Sequence, residues 1–264
     1  MKILLFGHVR TRSSYLLDIA CNAYNSVNLF EDYLEIDQRK IHQTYLKKDP
    51  DKLWLDYQSK FNDLTSKYFN TYKSFGIKIF PLSYYNLFKS LPVITKEPNY
   101  IITSKDFLNL DSLRLKEYDK IFVTYRKNKV DLLCSYLFAQ QNNESFLFTE
   151  HNKHFLNFYK SRKHTVNPLN MPSYWWIKTL FINTYINENI HKYLEKQNIP
   201  YTRLEYNEVP SYIENTYPNI KTKYIESQID YRTMVKNYSF YEDMAESYKE
   251  FAKTHVQCDD LFSK

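Results

Sequence analysis

Glycine is almost missing from this chain: Gly7 and Gly76 are the only two in 264 residues, against about 7% in average proteins. Two glycines so far apart exclude a complete G-x-x-x-x-G-K-[ST] phosphate loop, and each must answer a specific backbone need. Cysteine is also scarce. Cys21, Cys134 and Cys258 are odd in number and widely separated, which excludes a disulfide framework and points to reduced thiols in the cytoplasm. The apolar opening Met1-Lys2-Ile3-Leu4-Leu5-Phe6 is too short for a secretory signal, and no run of 18 apolar residues exists, so neither secretion nor a membrane span is expected. Zinc-finger spacing, a basic stripe, a G-x-S-x-G nucleophile elbow, internal repeats and low-complexity tracts are all lacking. Nucleic-acid binding and serine-hydrolase chemistry are therefore not expected.

What is present is a globular composition, 43% hydrophobic and 25% charged, with no break that would divide residues 1–264 into separate domains. A formal net charge of +6 and a pI near 8.9 suit a polyanionic small ligand, because the basic residues are dispersed rather than blocked. The 26 Tyr and 18 Phe are read as compositional bias, not as a binding surface.

Hydrophobic spacing divides the chain into alternating strands and helices. Lys2 to Phe6 is a short apolar strand, and Ser13 to Tyr24 repeats apolar residues at helical intervals. Asp51 to Tyr72 reads as a long helix and Gly76 to Phe80 as a strand. Lys120 to Tyr125 is β-branched and aromatic, the clearest strand, and a helix follows from Lys129 to Gln140. Pro172 opens another long helix that yields, after Asn198-Ile199-Pro200, to a strand near Tyr201 to Leu204. Such alternation predicts an α/β fold with a mostly parallel central sheet flanked by helices, and a ligand site beyond the carboxyl ends of the strands. Residues 141–170 are polar and weakly patterned, a surface excursion or lid.

Two strand-to-helix loops fall at those carboxyl ends. In Gly7-His8-Val9-Arg10-Thr11-Arg12-Ser13-Ser14-Tyr15, the first-turn N–H groups and the helix dipole face an incoming anion, with arginines and hydroxyls beside them. Arg12 and Ser13 stand where a nucleotide-triphosphate loop carries its second Gly and its Lys, so the grip on β- and γ-phosphates is weakened. The second loop, Tyr125-Arg126-Lys127-Asn128, leads into a helix bearing Ser135.

Val9-Arg10-Thr11-Arg12-Ser13-Ser14-Tyr15-Leu16 resembles the 5′-phosphosulfate loop, P-R-[ST]-G-[ST]-[ST]-L-L, of 3′-phosphoadenosine 5′-phosphosulfate (PAPS)-dependent sulfotransferases of the bacterial and carbohydrate type. Val9 replaces the Pro and Arg12 the Gly. The resemblance implies that Arg10 faces the phosphosulfate while Thr11, Arg12, Ser13 and Ser14 complete the cradle. The segment from Ile121 to Tyr136 resembles the same family's 3′-phosphate segment, with Arg126 at the strand end and Ser135 nine residues later. Phe75-Gly76-Ile77-Lys78 resembles the family's F-G-x-K strand beside the transfer site. Tyr231-Arg232-Thr233-Met234-Val235-Lys236-Asn237-Tyr238 resembles its late basic and aromatic segment, which nominates Arg232 and Lys236 for the nucleotide. Arg203-Leu204-Glu205-Tyr206 resembles the strand before its Y-E-D-L turn, with no role attached.

By that resemblance the fold is three-layered and P-loop-NTPase-like, PAPS is the co-substrate, and a sulfuryl group passes to a hydroxyl or amine of a carbohydrate or small metabolite. Sulfuryl transfer resembles phosphoryl transfer and is served mainly by positioning and cationic stabilisation, here including Lys78, with no metal required. The acceptor still needs a base. Glu31, beside Asp32 after the first helix, stands where bacterial relatives place a carboxylate, and His8 in the first loop is the alternative. Glu150-His151-x-x-His154 lacks a third metal ligand. A P-loop-like small-molecule kinase and a non-catalytic nucleotide-binding module are the competing readings.

Overall fold

The computed structural model describes residues 1–7, 11–29, 50–79, 110–141, 174–220, 232 and 238–256. Five parallel strands form one sheet: β1 (Lys2–Gly7), β2 (Val27–Asn28), β3 (Phe75–Ile79), β4 (Lys120–Tyr125) and β5 (Thr202–Glu205), in the order β2-β3-β1-β4-β5. The first strand is thus central. Its register sets Leu5 beside Lys78 of β3 and Gly7 beside Thr124 of β4. The helices are α1 (Ser13–Ala23), α2 (Pro50–Thr71), α3 (Lys129–Gln141), α4 (Tyr174–Lys196), α5 (Val209–Thr216) and α6 (Tyr238–His255). Parallel neighbours require crossovers, and the intervening helices supply them.

Strand residues alternate between two cores, as a sheet covered on both faces requires. Leu4, Phe6, Ile77, Ile79, Ile121 and Val123 join the larger core with residues of α2, α3, α4 and α6. Ile3, Leu5, Phe122 and Leu204 turn to the other face and meet Leu16, Leu17, Ile19 and Ala20 of α1 and Val209 and Ile213 of α5. All six of those strand residues of the larger core and all four of the smaller are buried.

The two glycines answer one need, the close approach of α1 to the sheet. A Cβ on Gly76 would lie 2.2 Å from Cys21 Sγ and 2.9 Å from Leu17 Cδ1. One on Gly7 would lie 2.4 Å from Ser13 Cβ and 2.6 Å from Thr124 Oγ1, all well inside van der Waals contact. Neither glycine has positive φ; space, not backbone freedom, fixes them. The same packing buries Cys21, and that burial, helped by nearby Asp18, pushes its thiol pKa up to about 12.

The expected strands and helices fall within a few residues of their sequence bounds. β2 is new: two residues are too few for a periodic signal, yet this strand covers the edge that β3 would otherwise present. The helices α5 and α6 also appear after the last strand. The buried face of α6 is built from Tyr241, Ala245 and Ala252, a stripe weaker in aliphatic residues than those of the earlier helices. Among the described residues, no helix is long and apolar enough to cross a membrane.

Candidate functional site

The carboxyl end of the sheet gathers charged side chains that burial would normally exclude. Lys78 alternates with Ile77 and Ile79, so it points to the α1 face, where Gly76 two residues earlier has let the helix settle. It is 3% exposed and its Nζ donates to Ser14 Oγ at 3.2 Å in the first turn of α1. Ser13 and Ser14 are buried there as well. Among the described residues no side-chain cap hydrogen bond is made at the N-cap, Arg12, and the first-turn N–H groups and dipole of such a helix point beyond its end. Thr11, also buried, shares a 3.0 Å hydroxyl–hydroxyl hydrogen bond with Thr124, which ties the first loop to β4.

Arg12 occupies the N-cap position of α1 in the left-handed region, φ 60° and ψ 15°. That is the conformation in which Gly is at ease and a larger residue is strained, so Arg12 tolerates the backbone that its position demands. Its side chain crosses 194 residues of sequence to reach Tyr206: Nη1 donates to the Tyr206 carbonyl at 2.6 Å, and the guanidinium lies 3.7 Å from the ring centroid.

Arg126, 4% exposed, leaves the end of β4 and reaches the same ring, its guanidinium 4.1 Å from the centroid. A 3.5 Å ion pair joins it to Asp131 Oδ2, and Tyr238 Oη donates to Asp131 Oδ1 at 3.0 Å. Burial is the first cause that pushes the Tyr238 phenol up to about 12, so it stays protonated and able to donate. Ser135, buried, stands one turn beyond Asp131 on the same face of α3. Asp131 itself lies in the helix's first turn.

Glu205 joins the loop after β4 to the turn after β5. Its carboxylate accepts from the Lys127 N–H at 3.2 Å and the Asn207 N–H at 2.6 Å, while the Tyr206 N–H donates to the Tyr125 carbonyl at 2.8 Å. Lys129 adds a second, part-buried pair: its Nζ donates to the Arg126 carbonyl at 2.5 Å and to Glu188 of α4. Burial lowers the Lys129 pKa and raises that of Glu188, each opposed by the other's charge.

A cleft of about 320 Å³ opens beside this cluster, lined by Asn128, Val130, Asp131, Arg232, Tyr238 and Glu242. Arg232 is exposed, with its guanidinium 5.8 Å from the Tyr238 ring. The structure therefore brings Arg12, Arg126 and Tyr206 together, places Lys78 with Ser14, and sets Arg232 at the neighbouring cleft. His8, Arg10, Glu31, Asp32 and Lys236 lie outside the described residues, as do the Glu150–His154 segment and all of the 141–170 excursion beyond Gln141. Among the described residues no cluster of three or more His, Cys, Asp or Glu could hold a metal ion.

Tyr206, Asp131 and Glu205 carry the geometry of the site without having been assigned a role from sequence. Their contacts span the β1, β4 and β5 loops, and only the expectation that all three loops converge at the carboxyl ends could have drawn attention to them. Chemically, the arrangement offers first-turn helix N–H groups, hydroxyls and guanidiniums, the donor set that a phosphate- or sulfate-type anion requires. Comparison with protein-family models, with curated proteins and with solved structures found no match, so these residues and their geometry carry the functional reading.

Proposed function

We propose that the chain is a PAPS-dependent sulfotransferase with a P-loop-NTPase-like fold. The observation that carries this reading is the meeting of Arg12 and Arg126 on one tyrosine ring at the carboxyl end of adjacent strands. Their distances from the shared centroid put the two positive charges within about 8 Å of each other, where they repel by at least about 2 kcal/mol at a protein's effective dielectric. The ring faces, the Tyr206 carbonyl and Asp131 offset part of that cost. A polyanion between the loops offsets more, and the cost is then spent on recognition.

In this reading the first turn of α1, with Ser13, Ser14 and Arg10, cradles the 5′-phosphosulfate, and Arg126 holds the 3′-phosphate, with Arg232 and Lys236 on the nucleotide. The acceptor oxygen or nitrogen attacks sulfur, its proton passes to Glu31 or His8, and the S–O bond to the 5′-phosphate breaks, releasing adenosine 3′,5′-bisphosphate. Lys78, held at Ser14 beneath the first turn, stabilises the charge that grows on the leaving phosphate. The acceptor class is a hydroxyl or amine of a carbohydrate or small metabolite.

Thermal stabilisation by adenosine 3′,5′-bisphosphate in EDTA, compared with ATP plus Mg²⁺, tests the donor assignment. The expected result is a rise in Tm with the bisphosphate alone, lost in Arg126→Met. A rise with ATP and Mg²⁺ only supports the kinase reading, and binding of the bisphosphate with no transfer from PAPS to any hydroxyl or amine supports a non-catalytic module.

A further inference from the structure

We infer that Tyr206 is a positioning residue that couples the two arginines into one site selective for ligands carrying two phosphate-type groups over ligands carrying one. The inference rests on the carboxyl end being an anion site, and it concerns a residue that the donor resemblance leaves without a role.

Three observations carry it. The ring is the common surface of both guanidiniums, at 3.7 and 4.1 Å. The main chain of the same residue fixes the arrangement: its carbonyl accepts from Arg12 and its N–H donates to the strand end from which Arg126 leaves. Glu205, on the other side of that N–H, binds the loops before and after the ring through Lys127 and Asn207. The Tyr206 main chain is thus pinned both to the end of β4 and to Arg12, and its ring presents one surface to both guanidiniums.

Arginine carries large rotamer entropy, and a half-buried one reaches for water when no surface holds it. By holding Arg12 against the ring before a ligand arrives, Tyr206 removes that ordering cost from binding. It also keeps Arg12 close to Arg126 despite their repulsion. A ligand that neutralises both cations gains from the enforced proximity, whereas a single anion neutralises one and leaves the other. The described contacts use the ring face and the main chain rather than the hydroxyl. Phe at this position therefore preserves the coupling, and Leu removes it.

The test measures binding of adenosine 3′,5′-bisphosphate and of AMP by calorimetry on wild type, Tyr206→Phe and Tyr206→Leu, each first shown to be folded by its thermal transition. In parallel, the side-chain Nε–Hε NMR signals of Arg12 and Arg126 report ring-current shifts without any ligand. The expected result is that Tyr206→Leu loses about tenfold in affinity for the bisphosphate, the scale of desolvated cation–π contacts, with little change for AMP. Both arginine signals move toward random-coil positions in Tyr206→Leu and stay in place in Tyr206→Phe. Equal losses for both nucleotides, an unchanged bisphosphate affinity in folded Tyr206→Leu, or arginine signals indifferent to the ring overturn the inference. If wild type binds neither nucleotide, the donor reading fails by itself, and inorganic pyrophosphate against orthophosphate then decides. A pyrophosphate preference lost in Tyr206→Leu upholds the coupling, and its absence in wild type overturns that too.

Discussion

The two ends of the parallel sheet are both closed by polar contacts, but of opposite kinds. At the amino end the contacts are exposed or part-buried: the Met1 ammonium donates to Ser74 Oγ at 3.0 Å, Ser74 and Ser26 share a 2.6 Å hydroxyl hydrogen bond, and the Lys2 N–H donates to Asp119. Water could replace each of these at little cost. At the carboxyl end Lys78, Arg126 and Glu205 are buried, and loss of one partner there strands a charge away from water. Among the described residues these three buried charges gather at the carboxyl end, where an α/β sheet is expected to bind its ligand.

The largest effect is expected from breaking the part-buried pair beneath that end. Its side chains, Lys129 and Glu188, are 15% and 19% exposed. Lys129→Met leaves the Glu188 carboxylate without its partner and should cost about 3–5 kcal/mol in denaturant unfolding. Lys129→Met with Glu188→Leu should recover most of it. Burial already raises the Glu188 pKa above its unfolded value. A raised carboxyl adds stability below the unfolded value and loses it as pH rises through the folded one. The single variant's deficit should accordingly shrink between pH 7 and pH 5. A deficit that grows on acidification would mean that Glu188 is solvated.

A smaller effect sharpens the comparison from the packing side. Gly76→Ala, near the amino end of β3, should cost about 1–3 kcal/mol by overpacking, and adding Cys21→Ala should restore part of it because the nearest clash is with that sulfur. Failure of the second substitution to help would place the strain in the backbone. In a Cys258→Ser background, Cys21 and Cys134, with thiols pushed up to about 12 by burial, should react with a disulfide reagent at pH 8 only on unfolding. The smallest change belongs to the exposed end: Ser74→Ala should cost less than about 1 kcal/mol.

The strand-loop-helix units around Gly7 and Arg126 were legible because their apolar runs and helical repeats are local. The long-range partners were not. The likeness of residues 203–206 to a family strand attaches no role to Tyr206, and the tyrosines of this Tyr-rich chain are read from composition as bias; its contacts are made by arginines 194 and 80 positions earlier. Lys78 was legible as a residue near a strand end. Its burial is set by α1, whose Ser14 it meets and whose approach to the sheet Gly76 permits. Ser135 was read with Arg126 from spacing and is buried in the same helix, whereas the ion pair of Arg126 with Asp131, one helical turn earlier, was not anticipated.

The most direct test of the carboxyl-end site is a crystal structure of the protein with adenosine 3′,5′-bisphosphate. The prediction is one phosphate on the first-turn N–H groups of α1 and the other on Arg126, with both guanidiniums still against Tyr206. Nucleotide bound away from these residues, or phosphates that leave Arg126 with Asp131 alone, would contradict it.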